Sequence, residues 1–389
     1  MRRLLILLLL LLTVSITQAQ TDTTGDSWEI IERCIEEPTT PPDDWSYDGT
    51  IIMWGHFGLH GIHADWDTPR ILAFLPDNAI NNGSSLSPDG RYFAYVDTEF
   101  LSASNSQSGF GGVVEVKGII IYDSTENTEP VYEIPIENSY SVHNRGWSVR
   151  QLHWLDENHI VYEVGNEGEQ EFNLEYVKVI DITTGNQSDW EYPVNPLDNG
   201  FFYPSPDLQY AAKGSSALTV TSITTNNLLL DYENLNLSSS QIIFAVDWSP
   251  ASDMAIVTTR TDESNISETS NYLLVGFYIN RENTFSITIP GNDSRRMSTL
   301  AISPDSRYVA YHYETLRIVD LETQNIFDTC VHDNIDSLIW SSDSTQVAFY
   351  QDGAGLQPIN VYDLERNQAY TVGYHQSSYF RSLTDWRED

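Results

Sequence analysis

Lysine is almost missing from this chain: Lys117, Lys178 and Lys213 are the only three in 389 residues, and basic residues together number 19 against 56 acidic ones, a formal charge of −37. So negative a surface repels nucleic-acid phosphates and anionic membranes, which removes both from the partners to expect. Three scattered lysines read as a compositional habit and not as a site. Cysteine is also scarce. Cys34 and Cys330 stand alone, with no Cys-x-x-Cys pair and no Cys/His cluster at zinc spacing, so no structural metal is expected. Beyond the first twenty residues no stretch approaches the ~20 consecutive apolar residues of a membrane helix. The sequence also lacks a Gly-x-Ser-x-Gly elbow, a His-Glu-x-x-His pair, a Gly-x-x-x-x-Gly-Lys phosphate loop and a strand-linked Gly-x-Gly-x-x-Gly turn. Those absences leave no cofactor and no catalytic residue to assign, and they make an enzyme the less favoured class.

The first residues hold what the rest lacks. Arg2 and Arg3 precede an apolar run from Leu4 to Leu12, and small and polar residues then lead to Thr17-Gln18-Ala19. This is the pattern of a secretory signal peptide cleaved after Ala19. The expected mature chain is therefore soluble, secreted or periplasmic, and free of the membrane. Losing two arginines takes its formal charge from −37 to −39. Aromatic residues at 12% and hydrophobic ones at 40% still suffice for a core, so the acid forms a solvated shell around a folded body. In an oxidising compartment Cys34 and Cys330 are expected to pair, the alternative being two unrelated buried thiols.

The organising feature is an internal repeat. An apolar strand, a Trp-Ser-Pro-Asp-like turn and a second apolar strand recur as LSPDGRYFAY from Leu86, WSPASDMAIV from Trp248, ISPDSRYVAY from Ile302 and WSSDSTQVAFY from Trp340. Weaker copies begin at Trp45, Trp154 and Pro204, which makes seven. Ser and Asp cap such a turn through side-chain to backbone hydrogen bonds, and β-branched and aromatic residues alternate in the strand that follows. A second phrase is interleaved with the first: a strand ending in Asp, a polar turn, and another strand, as in IIIYDSTEN from Ile119 and LRIVDLETQN from Leu316. Each unit thus holds four strands. Trp45 and Trp386 lie 341 positions apart, about 49 residues per unit, close to the length of a propeller blade.

These features predict an all-β chain folded as a single β-propeller of four-stranded antiparallel blades, seven in number, with six blades and an irregular cap as the alternative. The C-terminal FRSLTDW, Phe380 to Trp386, has the form of an inner strand and stops where a turn should begin. The segment from Trp45 supplies that turn and the next three strands, so the C-terminal strand is expected to close the ring. Residues 1–19 are the leader, 20–44 a tail ending in a proline-rich linker, and 45–389 the propeller. The tail has room for one or two helical turns or an edge strand. If the cysteines pair, it lies as a strap against the outer strand that follows Leu316.

The Ser-Pro-Asp-Gly-Arg phrase at Ser87 to Arg91, repeated with Ser306 for Gly at Ser303 to Arg307, resembles the repeats of TolB-like and Trp-Asp-repeat-like propellers. The resemblance covers nearly all of the chain after residue 44 and implies the fold, with very little about function. Other propellers of this kind carry an α/β or hydrolase domain beside the ring; the residues outside the repeats here leave room for neither.

Candidate sites are few. The Asp-containing turns lack the spacing of sialidase-type Asp boxes and of dedicated calcium loops and read as structural. With 56 acidic residues, carboxylate pairs fall at any chosen separation and carry no signal. His56, His60 and His63 cluster in WGHFGLHGIH with Trp54 and Phe57 nearby; three histidines could ligate a metal, although alternation and three glycines favour a tight aromatic hairpin. Long connections follow Tyr95, Ile136 and Arg260, and propeller connectivity puts all of them on one rim. There His143, Arg145 and Trp147 form an aromatic and basic cluster, with Phe110 on the first loop. The expected function is a monomeric, non-enzymatic binding or scaffold module that holds a protein, peptide or glycan on this rim. A carbohydrate hydrolase or lyase using carboxylates in the central channel is the alternative.

Overall fold

Short apolar runs punctuated by Ser/Asp turns bury their faces by pairing into sheets that stack on one another. Here they form seven four-stranded antiparallel sheets in a seven-bladed β-propeller, with no helix among the described residues. The computed structural model describes residues 28–387, apart from 36, 56–57, 67–68, 75–83, 88–89, 104–111, 124–129, 136–146, 168–171, 191–200, 208, 215–218, 226, 232–242, 261–271, 280–283, 290–298, 333–334, 352–354 and 377–379.

In blades 2 to 7 the strands follow one another in sequence across the sheet. Blade 1 is composite: Phe380–Arg387 forms its inner strand, followed by Thr50–Gly55, Gly58–His63 and Arg70–Phe74. The C-terminal strand therefore closes the ring as its sequence implies, with Trp386 opposite Ile51 and Leu383 opposite Met53. One detail differs. Trp386 takes the place that a Trp or its equivalent holds before each turn, and its indole N–H donates to the Asp48 carbonyl at 2.6 Å. Trp45 sits instead in the seam with blade 7, donating to the Asp363 carboxylate at 2.8 Å with its ring 4.4 Å from that of Tyr370.

The turn that joins the first two strands is built the same way in several blades. In blade 6 the Ser303 hydroxyl donates to Asp305 at 2.6 Å and accepts the Tyr308 N–H at 2.8 Å. Ser205, Ser249 and Ser341 repeat this exchange, and Ser87 accepts the Tyr92 N–H. The third residue after the serine has positive φ: Gly49 and Gly90 in blades 1 and 2, but Ser252, Ser306 and Ser344 in blades 5 to 7. A serine pays strain there, and two of the three have a visible return. Ser252 accepts the Asp207 N–H at 2.9 Å and Ser344 accepts the Asp305 N–H at 3.0 Å, so each turn is pinned to that of the preceding blade.

Apolar side chains fill every seam. Six buried clusters each join two consecutive blades, from Ile52, Leu59, Phe93 and Tyr95 between blades 1 and 2 round to Ile51, Met53, Ile359 and Val361 between blades 7 and 1, and between blades 3 and 4 Trp190 packs against Ala211 and Ile223. Near-parallel rings link three of the seams: Tyr92 on Trp154, Tyr210 on Trp248 and Tyr308 on Trp340. In blades 2 and 6 an arginine completes the stack, with Arg91 over Tyr92 and Arg307 over Tyr308, each anchored to a third-strand aspartate, Asp123 or Asp320.

The tail is a strap with an edge strand and, among its described residues, no helical turn. Glu29–Glu32 pairs in parallel with Asn325–Asp328, the outer strand that follows Leu316, and Cys34 is bonded to Cys330. Thr39 then bridges Tyr370, so the segment binds the outside of blades 6 and 7. A disulfide of this kind fits a non-reducing environment.

Candidate binding rim

The two rims of the ring differ in construction. One carries the Ser/Asp turns between first and second strands and the Asp-led turns between third and fourth. In the latter the aspartate receives backbone N–H groups: Asp320 Oδ1 accepts from Glu322 and Thr323, and Asp363 Oδ1 from Arg366. Asp181 accepts from the Thr183 backbone and hydroxyl and from the Thr184 hydroxyl, and these bonds pull its pKa down to about 2. Such carboxylates are engaged in holding backbone, which is the structural role expected for these turns.

The opposite rim carries the connections from second to third strand and from each blade to the next. Among the described residues its relief comes from blades 2 and 3. In blade 2 the second and third strands, Tyr92–Ala103 and Gly112–Asp123, have 12 residues each. Those of blade 3, His159–Glu167 and Phe172–Asp181, have 9 and 10. The equivalents in blade 6 have 6 each. Pairing in blade 2 runs unbroken in direction from Tyr92↔Asp123 at the turn rim to Ala103↔Gly112, so the additional residues project from the other rim. At ~3.3 Å per residue the extension is roughly 20 Å. Register shifts at Asp97/Thr98 and at Val164/Gly165 mark where each hairpin departs from its blade, as bulges do when a strand bends. Of the segment after Tyr95, expected to be a loop, residues 96–103 are strand, and 104–111 lie outside the described residues.

Of the rim residues singled out from sequence, Trp147 opens the inner strand of blade 3, Trp147–Trp154, with its backbone opposite Asn166 at the projecting end. Its side chain, together with Phe110, His143 and Arg145, lies outside the described residues. His56 and Phe57 do too.

His60 and His63 occupy one strand and have different neighbours. His63 accepts the Asp65 N–H at 3.0 Å and lies against Trp66. His60 meets His375 of blade 7 edge-to-face, with ring centroids 5.2 Å apart. Burial, then the charge of His375, lowers the His60 pKa to about 4, which keeps the ring neutral at ordinary pH. No group of three or more His, Cys, Asp or Glu among the described residues could hold a metal ion. On the far face of blade 7 from His375, Leu356 and Tyr374 are 66% and 55% exposed near the same rim. Nothing in the sequence around His60 pointed to His375, because the seam that joins them is made only when the ring closes.

In the central region one acid stands out. Burial raises the Asp247 pKa to about 6, opposed by hydrogen bonds from Ile302 and Trp248. Its two oxygens accept those N–H groups at 2.8 and 2.9 Å, so the carboxylate fastens the inner strand of blade 5 to that of blade 6. Both bonds are structural in direction, leading to backbone on each side.

No family model matches the chain, and no curated protein matches it. Solved structures similar to it include a functionally unknown protein from Desulfotomaculum acetoxidans, at 12% identity over 84% of this chain and 95% of that one, TM-score 0.49. A eukaryotic initiation factor is similar at 13% identity over 85% of each chain, TM-score 0.41. An oligogalacturonate lyase in complex with manganese is similar at 10% identity over 55% of this chain and 62% of that one, TM-score 0.40. Likeness at this level assigns no function.

Proposed function

We propose that this chain is an exported, TolB-like binding propeller, released from its leader after Ala19, that acts as a monomer and holds a protein, peptide or glycan on the rim bearing the long hairpins of blades 2 and 3. The observation that supports this reading is the asymmetry of the ring. One rim is sealed by short turns whose polar groups bond to backbone, whereas the other extends two neighbouring hairpins well beyond the blades. A rigid scaffold with variable connections on one face is the usual way to present a binding surface. Arg145 and Trp147, with His143 and Phe110, supply the contacts, since Arg and Trp are over-represented among residues that dominate binding energy. The test is a screen of the purified protein on glycan and peptide arrays with product detection. Retention of a ligand without turnover supports the binding role; product release transfers the assignment to a carbohydrate hydrolase or lyase.

A further inference from the structure

On the turn rim, remote from the hairpins, a cavity of about 220 Å³ opens between the strap and blades 6 and 7, with Arg33, Arg307, Tyr308, Phe327, Leu364 and Glu365 among its lining residues. Its floor is apolar: Ile318 and Tyr362 are buried, and Phe327 is nearly so. The two arginines differ in what they hold. Arg307 is paired with Asp320 at 2.9 Å and Glu322 at 3.4 Å. The Arg33 guanidinium lies 3.6 Å over the Phe327 ring and has no carboxylate partner among the described residues. Arg91, Arg307, Arg317 and Arg366 all have one, while Arg70, likewise without one among the described residues, lies over Trp66 in blade 1, away from the cavity. In a chain with 56 acidic residues, an arginine left unpaired in an apolar cavity is a preformed donor fork for an anion from outside.

We propose that this cavity binds a monocarboxylate with a compact apolar or aromatic body, its carboxylate on Arg33 and its body against Tyr308, Phe327 and Leu364. A polyanion such as phosphate is disfavoured by the apolar floor, the carboxylates of Asp320 and Glu365 in the lining, and the protein's negative field. Glu365 lines the same cavity, and its negative charge opposes an anion there. The strap supplies the essential charge, and the adjacent Cys34–Cys330 bond fixes it in place.

The site is independent of the hairpin rim, and its test uses the full mature chain with the disulfide intact. Saturation-transfer NMR and calorimetry would titrate benzoate, benzamide, N-acetyl-L-phenylalanine and inorganic phosphate up to roughly 10 mM. Benzoate or the acetylated amino acid should bind saturably, at least about ten-fold more tightly than benzamide, as loss of a charge-assisted pair implies. Tighter binding of the amino acid assigns the site to peptide C-termini, and tighter binding of benzoate to free aryl acids. Arg33→Gln should abolish the preference for the carboxylate, while Glu365→Gln should strengthen binding a few-fold. Equal binding of benzoate and benzamide, displacement by phosphate, an unaltered Arg33→Gln, or no saturable binding at all would overturn the proposal.

Discussion

Replacing Trp386 by alanine probes ring closure at one side chain. The indole is 6% exposed and packs in the cluster that joins blade 7 to blade 1, edge-to-face with Tyr47 at 5.8 Å. Truncating a buried Trp to Ala costs ~3–5 kcal/mol, the aromatic pair accounting for ~0.5–1.5 of it. The lost bond to Asp48 adds little, because Asp48 is exposed and water replaces the donor. Trp386→Phe keeps most of the apolar volume and should cost only ~1–2 kcal/mol. Against a domain stability of ~5–15 kcal/mol the alanine loss is large. Guanidinium unfolding followed by Trp fluorescence and by circular dichroism should show a lower midpoint at an unchanged slope, ordered wild type, Phe, Ala. A loss below about 1 kcal/mol for Trp386→Ala would show that the C-terminal strand is not anchored in the ring through this side chain.

Other outcomes follow from the same structure. Ser344→Ala keeps a Cβ at φ 63° and removes the acceptor for the Asp305 N–H, so it should cost ~1–2 kcal/mol, whereas Ser344→Gly loses the bond but relieves the strain and should be near neutral; denaturant midpoints decide, and equal effects would discount the strain. His60 has a folded pKa of about 4 against 6.5 when free, so the unfolded chain binds the extra proton and stability falls as pH drops through that window. Asp247, raised to about 6, works in the opposite sense, gaining stability on acidification from 6 towards 3.8. His60→Gln should therefore make the melting temperature at pH 5 rise relative to that at pH 7, and an unchanged difference would contradict the assignment. Reducing the Cys34–Cys330 bond should open residues 28–44 to protease while the far-ultraviolet dichroism of the ring persists, because the ring is closed by Phe380–Arg387 and not by the strap. Collapse of the dichroism would show that the strap holds the ring.

Much of the fold was legible because its determinants are local. The Ser-x-Asp turn recurs in sequence since one hydroxyl and one carboxylate, two to four residues apart, satisfy the same backbone groups each time. The seven copies and the composite first blade followed from counting such turns and their ends, and the cysteine strap from there being only two cysteines behind an export signal. What was hidden depends on contacts between blades. Ser344 looks like a poor residue for a positive-φ position until the Asp305 N–H of the preceding blade is seen to need its oxygen. The Tyr308–Trp340 stack and the His60–His375 contact pair residues from different units, and no spacing within a unit announces them. Trp45 was legible as a member of a repeat but not as a residue displaced into the seam, because Trp386 competes for the same place from the other end of the chain. The cavity beside Arg33 was not legible at all, since the strap and two blades must meet to form it.

Whether ligand is held on the hairpin rim is read by hydrogen–deuterium exchange with a ligand taken from the arrays. Added protection is expected in the projecting halves of Tyr92–Ala103, Gly112–Asp123, His159–Glu167 and Phe172–Asp181 and at the start of Trp147–Trp154, with the Ser/Asp turns unchanged. Protection confined to the inner strands around Asp247, with the two hairpins exchanging as in the free protein, would contradict it and move the site into the central channel.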